Sequence, residues 1–273
     1  MIFNARNGIL PLDGTDMDYI RFGSGGETLV VVPGLGDGLK TVRGAALPFA
    51  VMYRAFAKRY TVYTFSRKNQ LEEGCSTRDM ARDLKTAMDA LGLDGAHVLG
   101  VSQGGMIAQH LAVDFPGAVK KLVLAVTAAR PTEPLRAVVG NWIRLAGAGD
   151  YRGLLIDTVE HSYSERRLRT YRPLYPLVTR IGKPKDFGRF ILQARACLGH
   201  DCYDSLDKIT CPTLVIGGGR DRIVGPEASV ALAGRIGSAG LYLYGELGHA
   251  AYEEAGDFNR RVLDFLAPLS RPV

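Results

Sequence analysis

Ser102 lies in Gly100-Val101-Ser102-Gln103-Gly104, a string that joins the apolar run Val98, Leu99 and Val101 to a helical pattern beginning at Met106. A serine hydroxyl is a weak nucleophile at its own pKa. It works beside a base, most often a histidine whose tautomer is held by a carboxylate. The chain offers five histidines. His97 precedes the serine's apolar run, His110 lies two turns into the helical stretch after it, and His161 and His200 fall where strand patterning is lost. His249 follows the last apolar run, in Gly245-Glu246-Leu247-Gly248-His249. Reacting groups in open α/β sheets gather beyond the carboxyl ends of the strands, so position selects His249 as the base. The same rule selects Asp221, five residues past Ile216, as the carboxylate. Asp201 and Asp204 are its rivals but follow helix-like sequence, and the run ending at Val126 meets no acid before Glu133.

The elements that must carry these groups are legible in the periodicity. A strand turning sharply into a helix strains the residue at the corner, and Gly100 and Gly104 remove side chains that would collide there. The Gln103 N–H, at the start of that helix, is then free to donate to an anion. Leu29-Val30-Val31-Val32 is apolar throughout, as burial on both sheet faces requires, and it runs into the glycine-rich loop Pro33-Gly34-Leu35-Gly36-Asp37-Gly38. Such a loop lets backbone N–H groups approach a ligand closely.

Around these, Gly8–Leu12, Asp16–Phe22 and Thr28–Val32 read as an antiparallel opening. Helical spacing covers Leu47–Tyr60, Thr77–Leu91 with Ser76 or Thr77 as cap, and the stretch from Met106 to Phe115. Strand patterning covers Thr61–Phe65, Lys121–Val126, Pro212–Ile216 and Leu241–Tyr244, with helices over Pro226–Arg235 and Asp257–Leu266. Arg67–Cys75 reads as a polar loop. From Ala129 to Asp207 the alternation gives way to helical stretches near 135–146, 151–163, 165–171 and 187–198, punctuated by prolines. This predicts a helical insertion over the sheet. Its aromatics Trp142, Tyr151, Tyr163, Tyr171 and Tyr175 are available for packing or for lining a pocket.

Composition removes other classes. At 273 residues with 47% hydrophobic content, the chain fits one α/β domain with an insertion. No apolar run is long enough to span a membrane and the first residues do not form a signal peptide, so a cytoplasmic protein is expected. The four cysteines lack metal-site spacing and interleaved histidines, so free thiols and no metal are expected. Thirteen Lys and Arg face six Asp and Glu between Ala129 and His200, although the whole chain carries only +6. That excess is a solvated face or an attractor of anions, and the pattern matches no nucleic-acid-binding motif.

Taken singly, each of the three residues has an ordinary explanation as a turn or loop residue. Their order, a serine corner, then an acid after a later strand, then a histidine after the last, is the order of one fold. The chain resembles the α/β-hydrolase fold superfamily over nearly its whole length, through Val32-Pro33-Gly34-Leu35-Gly36, Gly100-Val101-Ser102-Gln103-Gly104-Gly105, Asp221 in Gly219-Arg220-Asp221-Arg222-Ile223-Val224, and Gly248-His249. Where many relatives begin the first loop with His-Gly, this chain has Pro33-Gly34. The resemblance implies a mostly parallel central sheet flanked by helices, with a core of residues 1–128 and 208–273 and a helical cap at 129–207. It further implies a Ser102–His249–Asp221 triad, an oxyanion hole from the Leu35 and Gln103 N–H groups, and no cofactor. The expected activity is hydrolysis of a small or medium carboxylic ester of a small-molecule acyl substrate. Acyl transfer, hydrolysis of a C–C bond, or slow turnover in a ligand receptor would use the same triad. Serine at the corner argues against the dehalogenase and epoxide hydrolase branches, which use a carboxylate nucleophile.

Overall fold

Strands buried on both faces carry mainly apolar side chains, and the runs at residues 29–32 and 96–101, apolar but for the buried His97, sit at the centre of the sheet accordingly. The computed structural model describes residues 2–268. These form an eight-stranded sheet of order β1-β2-β4-β3-β5-β6-β7-β8. The strands are β1 (Arg6–Leu12), β2 (Thr15–Phe22), β3 (Glu27–Val32), β4 (Tyr60–Phe65), β5 (Ala96–Val101), β6 (Val119–Ala125), β7 (Thr213–Gly218) and β8 (Ala239–Tyr244). β2 is antiparallel to both neighbours, and every pairing from β4 to β8 is parallel. The fold is that of the α/β hydrolases.

Successive side chains of a strand point to opposite faces. Leu29, Val31, Leu99 and Val101 therefore face one layer with α1 (Ala46–Met52) and α11 (Phe258–Leu266). Val30, Val32 and Val98 face the other, with α2 (Thr77–Ala90), α3 (Gln103–Asp114) and α9 (Pro226–Arg235). Ser76 caps α2 in a reciprocal box: its Oγ accepts from the Asp79 N–H at 3.1 Å and its N–H donates to Asp79 Oδ2 at 3.0 Å.

Two expectations are corrected. The helix read over Leu47–Tyr60 stops at Met52, and residues 53–59 continue as turns in which the N–H groups of Phe56 and Ala57 donate to the carbonyls of Tyr53 and Arg54, three residues back, before β4 begins at Tyr60. The aromatic spacing is real, but it packs Tyr53, Phe56 and Tyr60 ring against ring along these turns. The strand read to Val126 ends at Ala125, because Val126 adopts a φ of 45° that no strand residue can hold.

Between β6 and β7 lie α4 (Glu133–Gly147), α5 (Tyr151–Ser162), α6 (Glu165–Tyr171), the short α7 (Tyr175–Val178) and α8 (Gly188–Leu198). Leu135, Val138, Val139 and Trp142 of α4 share an apolar cluster with Phe190 and Ala194 of α8, with Met106 of α3, and with Leu35, Ile223 and Val224 from the segments after β3 and β7. α10 (Ala251–Glu254) follows His249 directly.

Candidate active site

The corner at Ser102 is drawn as tightly as its sequence demands. Ser102 has φ 53° and ψ −119°, a left-handed conformation rare for a residue with a side chain. Neighbouring groups hold it there: its N–H donates to the Ala125 carbonyl at 2.9 Å, and its carbonyl accepts from Gly105 N–H at 2.8 Å and Thr127 Oγ1 at 2.7 Å. A Cβ on Gly104 would stand 1.9 Å from the Val32 carbonyl oxygen, and one on Gly100 2.6 Å from that of Gly104. Only glycine lets α3 begin this close to β3 and β5.

Three elements far apart in sequence converge on the hydroxyl. Ser102 Oγ lies 2.9 Å from His249 Nε2, and His249 Nδ1 lies 2.8 Å from Asp221 Oδ2. Asp221 is buried, and its Oδ1 accepts the N–H groups of Ile223 at 2.8 Å and Val224 at 3.0 Å. Both carboxylate oxygens are thus committed, one to the turn and one to the imidazole. The loop carrying His249 is fixed by Arg220 N–H donating to the Leu247 carbonyl and Ala250 N–H to the Ser162 carbonyl, each at 2.9 Å. Asp201 and Asp204, the rival acids, lie at and after the end of the helical segment and make no hydrogen bond to His249.

Leu35 opens a 3₁₀ turn over Leu35–Gly38, and Gln103 is the first residue of α3. Neither N–H has an acceptor among the described residues, as expected of the first residue of a helix. Gly34 brings the loop beside the serine, since a Cβ there would come within 3.3 Å of Ser102 Cβ.

These groups open into a cavity of about 570 Å³, walled mainly by Leu35, Val42, Pro48, Phe49, Trp142, Val159, Ile223 and Tyr252, with Ser102 and His249 exposed to it. Of the aromatics singled out from the sequence, Trp142 and Tyr163 line it, whereas Tyr151, Tyr171 and Tyr175 do not. Trp142 Nε1 donates to Asp157 at 2.7 Å, and Tyr163 hydroxyl to Glu253 at 2.5 Å. The positive excess of residues 129–200 does not reach the cavity, where Lys40 is the one lysine or arginine among the described lining residues. Part of that excess is paired instead with acids outside the segment, Arg189 with Asp37 and Arg195 with Glu73.

One set of residues escaped the sequence reading. Arg67, assigned there to a polar loop, is buried, with Nη2 on the Pro33 carbonyl at 2.5 Å and on Gln103 Oε1 at 3.0 Å. Burial pushes its pKa down to about 10, against the opposing pull of Asp37. Asp37 Oδ2 accepts from Arg189 Nη2 of α8 at 2.6 Å and from Arg67 N–H at 3.1 Å. Gln103 Nε2 donates to the Gln193 carbonyl at 2.8 Å and Cys197 Sγ at 3.2 Å, and burial raises the Cys197 thiol to about 12. No run of neighbouring charges announces this network, because its members come from four separate segments. Among the described residues no three His, Cys, Asp or Glu side chains are grouped to hold a metal ion. No described helix is long and apolar enough to cross a membrane.

A family model described as alpha/beta hydrolase fold matches residues 27–256. The chain is 30% identical over 264 residues to a 2-hydroxy-6-oxononadienedioate/2-hydroxy-6-oxononatrienedioate hydrolase of Pseudomonas putida, covering 92% of this chain and 91% of that protein. It is also 30% identical over 199 residues to a 2-hydroxy-6-oxo-6-phenylhexa-2,4-dienoate hydrolase of Comamonas testosteroni, covering 68% of each. Among solved structures, an α/β-hydrolase enzyme from a Medee basin deep-sea metagenome superposes with a TM-score of 0.83 at 21% identity, over 97% of this chain and all of that one. The enol-lactonase of Burkholderia xenovorans LB400 superposes with a TM-score of 0.80 at 20% identity, over 95% of this chain and 99% of that one.

Proposed function

Since the chain belongs to the α/β-hydrolase fold family, we propose that it is a serine hydrolase working through Ser102, His249 and Asp221, and that it cleaves a C–C bond beside a ketone in a 2-hydroxy-6-oxo-dienoate. The hydrogen-bonded chain from Ser102 Oγ through His249 to Asp221, at 2.9 and 2.8 Å, is the observation that carries the hydrolase reading. The bond cleaved is inferred from relatives named as hydrolases of such compounds.

In the first step His249 Nε2 accepts the Ser102 proton as Oγ adds to the ketone carbon, and the resulting oxyanion is held by the N–H groups of Leu35 and Gln103. Expelling carbon needs an electron sink, so before this addition the dienol is converted to its keto form, its hydroxyl proton moving to the carbon next to the ketone. The bond between the oxyanion carbon and the neighbouring carbon then breaks to give a dienolate, which His249 protonates. Water, deprotonated by His249, attacks the acyl-serine and releases a carboxylic acid, with the proton returning to Oγ. The helices of residues 129–207 serve as a cap that decides which substrates reach Ser102.

Ester cleavage is the second reading, and the cavity favours it. A substrate bearing a carboxylate would find only Lys40 among the lining cations, while the walls suit an uncharged acyl chain. The two are separated by following the coloured 2-hydroxy-6-oxo-6-phenylhexa-2,4-dienoate and p-nitrophenyl butyrate with the same purified protein. The first reading expects the dienoate to be consumed, with kcat falling about 10⁵- to 10⁶-fold in Ser102→Ala. Turnover of the butyrate alone reverses the choice of bond, and unchanged turnover in Ser102→Ala removes the serine mechanism.

A further inference from the structure

Behind the serine corner lies a buried guanidinium that the triad chemistry leaves unused. Arg67 follows β4 and is 4% exposed, and its Nε and Nη1 have no hydrogen-bond partner among the described residues. The hydrogen bonding of its guanidinium is concentrated on Nη2, which donates to the Pro33 carbonyl and to Gln103 Oε1. A buried charge so sparsely paired is a poor device for stability alone.

The two acceptors belong to the two segments that carry the oxyanion donors. Pro33 precedes the Gly34–Leu35 peptide, whose carbonyl accepts the Asp37 N–H at 3.2 Å. In a planar trans amide the N–H points opposite to the carbonyl, so this bond also aims the Leu35 N–H. Gln103 supplies the second N–H, and its own side chain, fully buried, reaches back to Arg67. The segments already touch, since a Cβ on Gly104 would stand 2.7 Å from the Pro33 oxygen. Contact sets how near they can come. A donor shared between them also sets their relative shift and tilt.

We propose that Arg67 is the positioning residue of the oxyanion hole, holding the Pro33 carbonyl and the Gln103 side chain on one nitrogen and so fixing the span between the Leu35 and Gln103 N–H groups. The inference rests on the serine hydrolase reading above. It needs neither the ester nor the C–C assignment, because any tetrahedral adduct of Ser102 places its oxygen in the same hole.

The test uses probes that do not depend on the natural substrate. A fluorophosphonate reacts as Ser102 Oγ forms a bond to phosphorus, fluoride leaves, and His249 takes the serine proton. A trifluoromethyl ketone adds Oγ to its carbonyl carbon, leaving an alkoxide in the hole and the proton on His249, whereas the matching methyl ketone binds without adding. Arg67→Met is expected to slow phosphonylation about 10- to 100-fold and to weaken the trifluoromethyl ketone by a like factor, as a displacement of about 1 Å would. Methyl ketone affinity should stay at the wild-type value, and Arg67→Lys should recover part of the loss. Gln103→Met keeps the backbone N–H but removes the acceptor, so it carries the same expectation if Arg67→Met does not fold. A folded variant with wild-type phosphonylation, or equal weakening of both ketones, overturns the positioning role. A wild-type protein whose Ser102 is not phosphonylated overturns the hydrolase reading itself, and this inference with it.

Discussion

At the scale of single residues, the candidate site depends on glycines as much as on the three side chains proposed to react. Gly104 is the tightest case, because a methyl there would overlap the Val32 carbonyl at 1.9 Å and force α3 away from β3. Gly104→Ala is expected to cost at least about 2 kcal/mol in urea unfolding. Gly117→Ala, where a Cβ would meet nothing within 4 Å, should stay within about 0.5 kcal/mol of wild type. Equal effects from the two would mean that the corner tolerates a side chain. Ser102, Asp221 and His249 could be located from sequence because each follows an apolar run and their order is diagnostic. Arg67 and Asp37 could not, since a charged residue in a loop has no local signal that distinguishes burial from solvation. What buries them is α8, which is more than a hundred residues away in the chain.

Among the elements, periodicity located the strands and the long helices well, because burial acts directly on the positions that face inward. It failed over residues 53–59, where aromatic spacing suited a helix equally with a run of turns and packing chose the turns. It was also silent on how α8 meets the core. Arg189, at the second position of α8, donates to Asp37 Oδ2 at 2.6 Å, to the Arg67 carbonyl at 2.9 Å and to the Lys68 carbonyl at 3.1 Å. A Cβ on Gly38 would stand 2.7 Å from Phe190 Cα, so the helix also lies directly against the Leu35–Gly38 turn. Replacing Arg189 by Met would strand the buried Asp37 carboxylate, with an expected loss of about 3 kcal/mol in unfolding free energy. A loss below about 1 kcal/mol would show that the pair is dispensable for α8 docking.

For the molecule as a whole, two buried histidines join the core helices to the segment following α8. His200 Nδ1 lies 2.9 Å from Thr77 Oγ1, and its ring meets that of His110 edge to face at 5.1 Å between centroids. Burial, reinforced by the neighbouring His110, pushes the His200 pKa down to about 3, and burial also lowers that of His110. An unfolded histidine titrates near 6.5, so between that pH and about 3 the unfolded chain holds protons that the native one refuses. Stability is therefore complete above about pH 6.5 and falls as pH drops, by at most about 1.4 kcal/mol per pH unit for each such group. Urea midpoints measured from pH 7.5 to 4.5 should decline in the wild type and decline less in His200→Gln. Parallel curves would place the pH dependence elsewhere.

The left-handed backbone of Ser102 sets durability against activity at one position. Its φ of 53° and ψ of −119° suit glycine, so the residue proposed as the nucleophile is also one that the fold would accept more readily without its side chain. A search for heat-tolerant variants of this chain that scored only survival would thus be drawn toward losing the proposed nucleophile. Directed evolution of the protein needs a functional screen at every round, because robustness selected alone leads to an inert scaffold.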